Sequence, residues 1–260
     1  MNSVRIHNRR YSPENHMFGS ARARRETFLA RKLRVLRPMF CYMLGYLFCF
    51  GLIEQWHRVH YTVIHTAVDD MIPFCDVFVI PYLLWFPYVI GAVLFLLFTD
   101  EEAYHKLCSV LAIGMTVFIA VSVVFPNIHL MRPLVTPGDD LLCGLVSAVY
   151  ALDTPTNLTP SIHVFNSLAV IAAYWKWDWR TETGRVYSPR VKNAWRLFIT
   201  VLGALISLST MLIKQHSFSD VVTAAVLFVI TFTAVYRHDM LLIGTGRHTR
   251  SGRPAHQFKY

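Results

Sequence analysis

Six apolar segments alternate with polar stretches along the chain. Each comes close to the roughly 20 apolar residues that a helix needs to cross a bilayer. They are Pro38–Ile53, Val77–Phe98, Leu107–Phe125, Ile162–Trp175, Leu197–Ile213 and Val221–Tyr236. The first, fourth and sixth are short, so we expect flanking residues or a locally thinner bilayer to accommodate them. The pattern predicts an all-α integral membrane protein built as a bundle of six transmembrane helices.

A seventh apolar stretch, Leu141–Leu152, lies in the loop between the third and fourth segments. At 1.5 Å per residue it reaches only about 18 Å, too short to cross a bilayer. Two aspartates precede it and Asp153 follows it. We interpret it as an interfacial or re-entrant helix in an outer loop. The interpretation matters because a seventh span would put Arg132 and His163 on opposite sides of the membrane.

The distribution of charge predicts the topology. The chain is 54% hydrophobic and 16% charged with a net charge of +9, and its basic residues crowd the two ends. Residues 1–37 carry ten Arg and Lys against two Glu, and the tail after Tyr236 carries five against one Asp. This asymmetry is typical of a multi-pass protein of the cell membrane with cytoplasmic termini, and it argues against a nucleic-acid partner.

The same pattern divides the chain into three parts. We predict a basic cytoplasmic segment over 1–37, a membrane catalytic domain over 38–236 and a basic cytoplasmic tail over 237–260. The bilayer itself is the expected partner, and the oligomeric state is left open. With six spans, the loops 54–76, 126–161 and 214–220 face outward. Two of these loops hold or lead directly into the side chains that suggest chemistry.

His216 and Asp220 are four residues apart, so on a helix they share a face. A carboxylate there can accept the proton of one imidazole nitrogen and leave the other nitrogen free as a nucleophile. The alternative is that both residues cap the last helix, because Asp and Ser are natural N-cap residues. Taken alone, the spacing leaves both interpretations open.

Ser161 and His163 open the fourth apolar segment after a proline. A hydroxyl and free backbone N–H groups at a helix start favour anions, and the histidine could serve as a general acid. Arg132, which follows the third segment, and Lys214, which precedes His216, could each hold a phosphate group. The alternatives are plain helix capping for the serine and contact with lipid headgroups for the two cations.

Together these residues resemble a known family. Arg132-Pro133, then Pro160-Ser-Ile-His163 at a helix start, then His216 with Asp220 before the last helix, resemble the type 2 phosphatidic acid phosphatase superfamily. The resemblance implies that His216 attacks phosphorus and forms a phosphohistidine, with Asp220 orienting it. It further implies that His163 protonates the leaving group, that Arg132 and Ser161 hold phosphate oxygens, and that no metal or other cofactor is required.

The sequence departs from the family pattern at three positions. Phe125 and Thr210 stand where the family has a lysine and an arginine, and Ile162 replaces the glycine of Pro-Ser-Gly-His. Two phosphate-binding cations are therefore missing from their usual places. Lys214 is the nearest replacement, and we state its role as a hypothesis.

Three functions are consistent with these observations. The first is a membrane lipid phosphatase that hydrolyses a phosphate or diphosphate monoester at the extracytoplasmic face. The second is a lipid phosphotransferase, similar to inositol-phosphorylceramide synthases, that passes the phosphoryl-bearing group to an alcohol. The third is a catalytically idle protein that binds lipid. The five cysteines show no metal-binding spacing, although Cys75 and Cys143 could meet outside the membrane.

Overall fold

The computed structural model describes residues 14–56, 60–133, 138 and 140–243, with side chains from Phe28 onward in the first helix. The chain is mostly helical. Its helices are α1 Glu14–Gln55, α2 Ala67–Met71, α3 Val79–Leu83, α4 Trp85–Thr99, α5 Glu101–Val124, α6 Leu141–Leu152, α7 Ile162–Lys176, α8 Pro189–Leu212 and α9 Phe218–His238. A short 3-10 turn, Asp76–Phe78, leads into α3. Two short strands, β1 Thr62–Val63 and β2 Asn127–Ile128, pair in parallel.

Within the described residues, five helical stretches are long and apolar enough to cross a membrane. They are Phe28–Gln55, Asp76–Thr99, Glu101–Val124, Pro189–Leu212 and Phe218–His238. Each covers one of the predicted segments, which indicates an integral membrane protein. The remaining predicted segment forms α7, which has 15 residues and a length of about 22 Å. The predicted six spans therefore correspond to five long helices and one shorter helix.

The α7 helix lies inside the bundle, in contact with α4, α5, α8 and α9. Small residues on its neighbours allow this close packing. A Cβ at Gly114 would lie 2.1 Å from the Phe165 ring, and one at Gly203 would lie 2.8 Å from Cδ1 of Ile171. Glycine is therefore required on α5 and α8 where α7 packs against them, as is common between membrane helices.

The α1 helix continues without a break through Pro38, so the predicted start of the first span lies within a longer helix. Proline is tolerated in membrane helices because neighbouring groups satisfy the carbonyl that it leaves free. Parts of both predicted basic segments, 1–13 and 244–260, lie outside the described residues.

The stretch predicted as an interfacial helix is confirmed as a helix, α6, with the predicted bounds. Asp140 caps its first turn by accepting from the Cys143 N–H at 2.8 Å.

The bundle has two ends with different chemistry. We call the end formed by residues 126–133, 153–161 and 213–220 the histidine end. Its segments are joined by the bridge between Ile128 and Thr156 and by the Ser161 N–H, which donates to the Asp220 carbonyl at 3.2 Å. At the opposite, basic end, Lys32 of α1 contacts Glu101 of α5 at 3.0 Å and Glu182 of the α7–α8 loop at 3.3 Å. Five of the six predicted site residues belong to these segments, and His163 follows them in the first turn of α7.

Candidate active site

The loop between α8 and α9 positions His216. Lys214 follows the end of α8 with a φ of 54°, in the left-handed region that non-glycine residues rarely adopt. This turn brings the N–H groups of Gln215 and His216 back to the same acceptor, the Thr210 carbonyl, each at 2.9 Å. The backbone on both sides of the His216 side chain is therefore fixed by helix ends.

The buried side chain of His216 lies between His163 and Asp220. Its Nε2 is 3.4 Å from Nδ1 of His163, and its Nδ1 is 3.4 Å from Oδ2 of Asp220. The second contact is close enough for electrostatic attraction, but its angle leaves Nδ1 without a well-formed hydrogen bond. A carboxylate on the Nδ1 side favours the tautomer that carries its proton there. The lone pair of Nε2 then points toward His163.

The Asp220 carboxylate has two roles in the structure. It accepts from the Ser217 N–H at 2.9 Å in a capping box that starts α9, and it accepts from the Thr159 hydroxyl. It also faces His216. The capping interpretation and the catalytic interpretation of this residue are thus compatible, because its two oxygens serve the helix start, the 153–161 segment and the imidazole together.

His163 lies in the first turn of α7, and its ring is stacked with the Tyr82 ring and tilted by 48° to the Trp85 ring. The ring centroids are 4.7 Å from Tyr82 and 4.4 Å from Trp85. Ser161 caps α7 by accepting from the Val164 N–H at 3.4 Å, and it is fully buried. Its hydroxyl therefore serves the helix start in this structure, while its predicted contact with a phosphate stays a prediction.

Arg132 reaches the site through Gln215. Its guanidinium donates to the carbonyls of Tyr150 at 3.2 Å and Asp153 at 2.7 Å, at the end of α6, and to Oε1 of Gln215. It also stacks on the Tyr150 ring at 4.5 Å. The Gln215 amide then donates to Oδ2 of Asp153 at 3.3 Å. The guanidinium thus joins α6 to the residue that precedes His216.

Lys214 points away from the histidine pair. Its Nζ donates to the carbonyls of Asp69 at 3.1 Å and Ile72 at 2.5 Å. It lines a separate cleft of about 380 Å³ at the same end of the bundle, together with His65 and Asp70. The hypothesis that Lys214 replaces a missing phosphate-binding cation gains no support from this placement.

The structure shows where the three residues that depart from the family pattern lie. Thr210 is buried, and its carbonyl receives the Gln215 and His216 amides. Phe125 ends α5 and is partly exposed. Ile162 begins α7 and lines an apolar cavity beside His163.

That cavity has a volume of about 530 Å³ and ends at the histidine pair. Its walls are mainly leucine, methionine and aromatic side chains of α1, α4 and α5. Along α1 it extends from Leu36 to Glu54, a rise of about 27 Å. His163 and His216 belong to the wall, whereas the other four predicted site residues lie behind it, as far as the described residues define the cavity. An apolar chain therefore fits below the two imidazoles.

Sequence reasoning missed the importance of Asp69. This buried carboxylate of α2 accepts from the Ser217 hydroxyl and the Phe218 N–H, each at 2.7 Å. It also accepts from the Thr66 N–H and hydroxyl. Burial opposes the charge, but these hydrogen bonds outweigh it and lower the pKa of Asp69 below its usual value. A charged Asp69 thus holds the start of α9 next to His216.

His129 and Asn127 also position the site without an obvious sequence signal. Burial lowers the pKa of His129 to about 4, so the ring is neutral at pH 7, and its Nε2 lies 2.7 Å from the Gln215 carbonyl. The side-chain carbonyl of Asn127 accepts from the Leu158 N–H at 2.7 Å and thereby places the segment that leads into Ser161.

The described residues contain one group of potential metal ligands, in which the ligand atoms of Asp76, Asp140 and Cys143 lie within 4.8 Å of one another. It does not include the histidine pair, and exposed acidic groups commonly occur without a metal. Cys75 and Cys143 are both free thiols.

The arrangement brings together two buried imidazoles, a carboxylate beside one of them and an apolar cavity that leads to the pair. No family model, curated protein or solved structure matches this chain.

Proposed function

We propose that this chain is a membrane lipid phosphatase that hydrolyses a phosphate or diphosphate monoester of a lipid through a phosphohistidine at His216. The observation that carries the proposal is the contact of His216 with His163 and Asp220 at the head of an apolar cavity. The cavity supplies a place for the lipid chain, and the histidine pair supplies the chemistry. The resemblance to the type 2 phosphatidic acid phosphatase superfamily supports the assignment through the same residues.

The reaction would proceed in two steps. Nε2 of His216 attacks phosphorus, the bond from phosphorus to the lipid oxygen breaks, and that oxygen takes a proton from His163. Water then attacks the phosphohistidine and gives a proton to His163, and the bond from phosphorus to nitrogen breaks to release phosphate. Asp220 keeps the Nδ1 proton of His216 in place and stabilises the positive ring.

The 3.4 Å separation of the two imidazoles limits how they can act. An attacking nitrogen lies about 3 Å from the phosphorus, and the acid lies about 3 Å from the leaving oxygen, so the two nitrogens need roughly 6 Å between them. The proposal therefore includes a separation of the rings when the lipid binds. The Tyr82 and Trp85 rings that contact His163 limit where that ring can move.

Charge in the transition state would be stabilised from several directions. The α7 and α9 helices both begin beside the histidine pair, and their N-termini present partial positive charge there. Arg132 adds a full charge through its position next to Gln215. We propose that these groups, with Ser161, act without a metal ion.

The proposal includes the placement of the chain in the membrane. The five long helices and the shorter α7 would make six spans, with α6 lying at the interface. The basic ends would be cytoplasmic, so the histidine end would face the extracytoplasmic side.

One observation favours a second candidate, a catalytically idle protein that binds lipid. Arg132 and Lys214 are both bonded to backbone carbonyls, and neither lines the cavity wall that the described residues form. Such a site would bind an apolar chain but stabilise a transferring phosphoryl group less well. Binding without turnover would identify it.

The test is phosphate release by purified protein in detergent, over a panel of lipid phosphates. We expect His216→Ala to lower the rate by roughly 10³-fold or more, because the nucleophile is lost. The matched control is His238→Ala, an exposed histidine at the other end of α9. Equal rates for His216→Ala and wild type would refute the phosphatase, whereas transfer to an added alcohol would assign the phosphotransferase.

A further inference from the structure

Several buried polar atoms that line the apolar cavity have no hydrogen-bond partner among the described residues. They include Oη of Tyr46, Nε1 of Trp85 and Oδ1 of Asn166. These side chains are 7%, 8% and 2% exposed, so bulk water does not satisfy them. Leaving a buried polar group unpaired costs about 1–3 kcal/mol. Three such groups on one wall therefore indicate that the cavity takes a ligand with polar atoms.

Two of the three side chains lie close to the proposed phosphoryl site. The Trp85 ring is 4.4 Å from the His163 ring. Asn166 follows His163 by three residues and is buried on α7, so it lies one helical turn, about 5 Å, deeper in the bundle. Tyr46 lies on the α1 wall, about two helical turns or 12 Å before Glu54, whose carboxylate accepts from Thr154 of the histidine end. The three polar atoms thus follow the cavity downward from the histidine pair.

The chemistry of these atoms restricts the ligand. The indole N–H of Trp85 only donates, the Tyr46 hydroxyl donates or accepts, and the Asn166 carbonyl accepts. A plain hydrocarbon chain satisfies none of them. A carbonyl oxygen satisfies the donors, and a hydroxyl or an amide N–H satisfies the acceptor. In acylated lipid phosphates these groups lie within a few bonds of the phosphate, whereas polyprenyl phosphates have only hydrocarbon there.

We propose that Tyr46, Trp85 and Asn166 form a specificity subsite that binds the ester or amide carbonyl and the hydroxyl of an acylated lipid phosphate, in preference to a polyprenyl phosphate. The proposal rests on the proposed function for the placement of the phosphate at His216. It goes beyond that function because it assigns the substrate class and the residues that select it.

The test compares two probes of similar chain length, dodecanoyl lysophosphatidate and farnesyl phosphate. We expect wild type to have the higher kcat/KM for the lysophosphatidate. Tyr46→Phe should lower that value roughly three- to tenfold, the effect of one hydrogen bond, and leave the farnesyl value within about twofold. Trp85→Phe should lower the ratio of the two values by a similar factor, while any effect through its contact with His163 changes both values together. The matched control is Tyr42→Phe, which removes a hydroxyl one turn away that bonds to the Ala112 carbonyl and lies outside the cavity wall.

Binding of both probes to His216→Ala, and to this variant combined with Tyr46→Phe, separates the subsite from the phosphatase. Tighter binding of the lysophosphatidate that the Tyr46 change abolishes supports the subsite even if no phosphate is released, in which case only the proposed function fails. Equal or tighter binding of farnesyl phosphate would overturn the subsite. So would an unchanged preference in Tyr46→Phe and Trp85→Phe, even if His216-dependent phosphate release is established.

Discussion

Asp69 lies in a five-residue helix far from α9 in sequence, yet its carboxylate receives four hydrogen bonds, two of them from Ser217 and Phe218. Asparagine has the same shape, but its NH₂ group would face a donor. We therefore expect Asp69→Asn to lower the free energy of unfolding by about 2 kcal/mol and to reduce phosphate release by loosening the backbone beside His216. Thermal unfolding in detergent and the rate of release measure the two effects.

The neighbouring residue provides a matched control. Asp70 is 70% exposed and pairs with His65 at 2.9 Å, so Asp70→Asn should change the stability by about 0.5 kcal/mol or less.

The pH dependence of the stability tests whether Asp69 is charged in the folded protein. Because the folded pKa of Asp69 is lowered, its stabilisation is present above about pH 4 and lost as the pH falls through the folded value. The difference in unfolding free energy between wild type and Asp69→Asn should narrow below about pH 4. A difference that stays constant would contradict the assignment of a charged Asp69 in the folded protein.

At this scale the sequence predicted the residues whose signal is local. His216 and Asp220 are four residues apart at the start of α9, and a Pro-Ser before His163 marks a helix start, so both motifs could be recognised. The residues that contact these motifs from distant parts of the chain could not be recognised. Asp69 contacts a residue 148 positions away, and Gln215 contacts Arg132 83 positions away. The spacing Thr66-x-x-Asp69 marks a helix cap that Asp70 cannot form, but it gives no sign of the contact with α9.

Among the elements, α6 is held at its C-terminus by Arg132. Two carbonyls at the end of the helix accept from the guanidinium fork, which a lysine cannot reproduce. We expect Arg132→Lys to lower the free energy of unfolding by about 1–3 kcal/mol, whereas Arg190→Lys, on the exposed start of α8, should leave it unchanged. If Arg132→Lys instead raised the KM for the lipid phosphate and left the thermal stability unchanged, Arg132 would contact the substrate phosphate rather than hold α6.

At the basic end, the α1 helix is fixed by Lys32, which is 1% exposed and contacts Glu101 and Glu182. Removing this cation leaves Arg31 as the remaining cation that pairs with the two carboxylates among the described residues. We expect Lys32→Met to lower the free energy of unfolding by about 3 kcal/mol. This is the smallest loss expected when one partner of a buried ion pair is removed. Thermal unfolding beside Arg34→Met, an exposed position on the same helix, measures it. Equal stability of the two variants would show that the cluster contributes little.

The elements were largely predictable because apolar length and caps are local properties. The bounds of α6 follow from Asp140 before it and Asp153 after it. The continuation of α1 through Pro38 was not predicted, since a proline beside basic residues also marks the start of a helix. The pairing of β1 with β2 was also missed, because two-residue strands carry no periodicity.

For the whole molecule, the central prediction concerns orientation. The basic segments predict that both termini lie in the cytoplasm. A reporter that is active only outside the cytoplasm, fused after Tyr260, should therefore be inactive, and a cytoplasmic reporter at the same position should be active. The reverse result would move the histidine end to the cytoplasmic side and would give the proposed phosphatase a different pool of lipid.

The position of α7 inside the bundle has a consequence for biogenesis. A 15-residue helix that carries His163, Asn166 and Ser167 is too short and too polar to partition readily into a bilayer by itself. Two of the helices that enclose it, α8 and α9, leave the ribosome later. One member of the histidine pair therefore depends on helices that are translated after it to hold it in the membrane. A chain interrupted before Pro189 would contain all of α7 and still lack His216, the partner of His163.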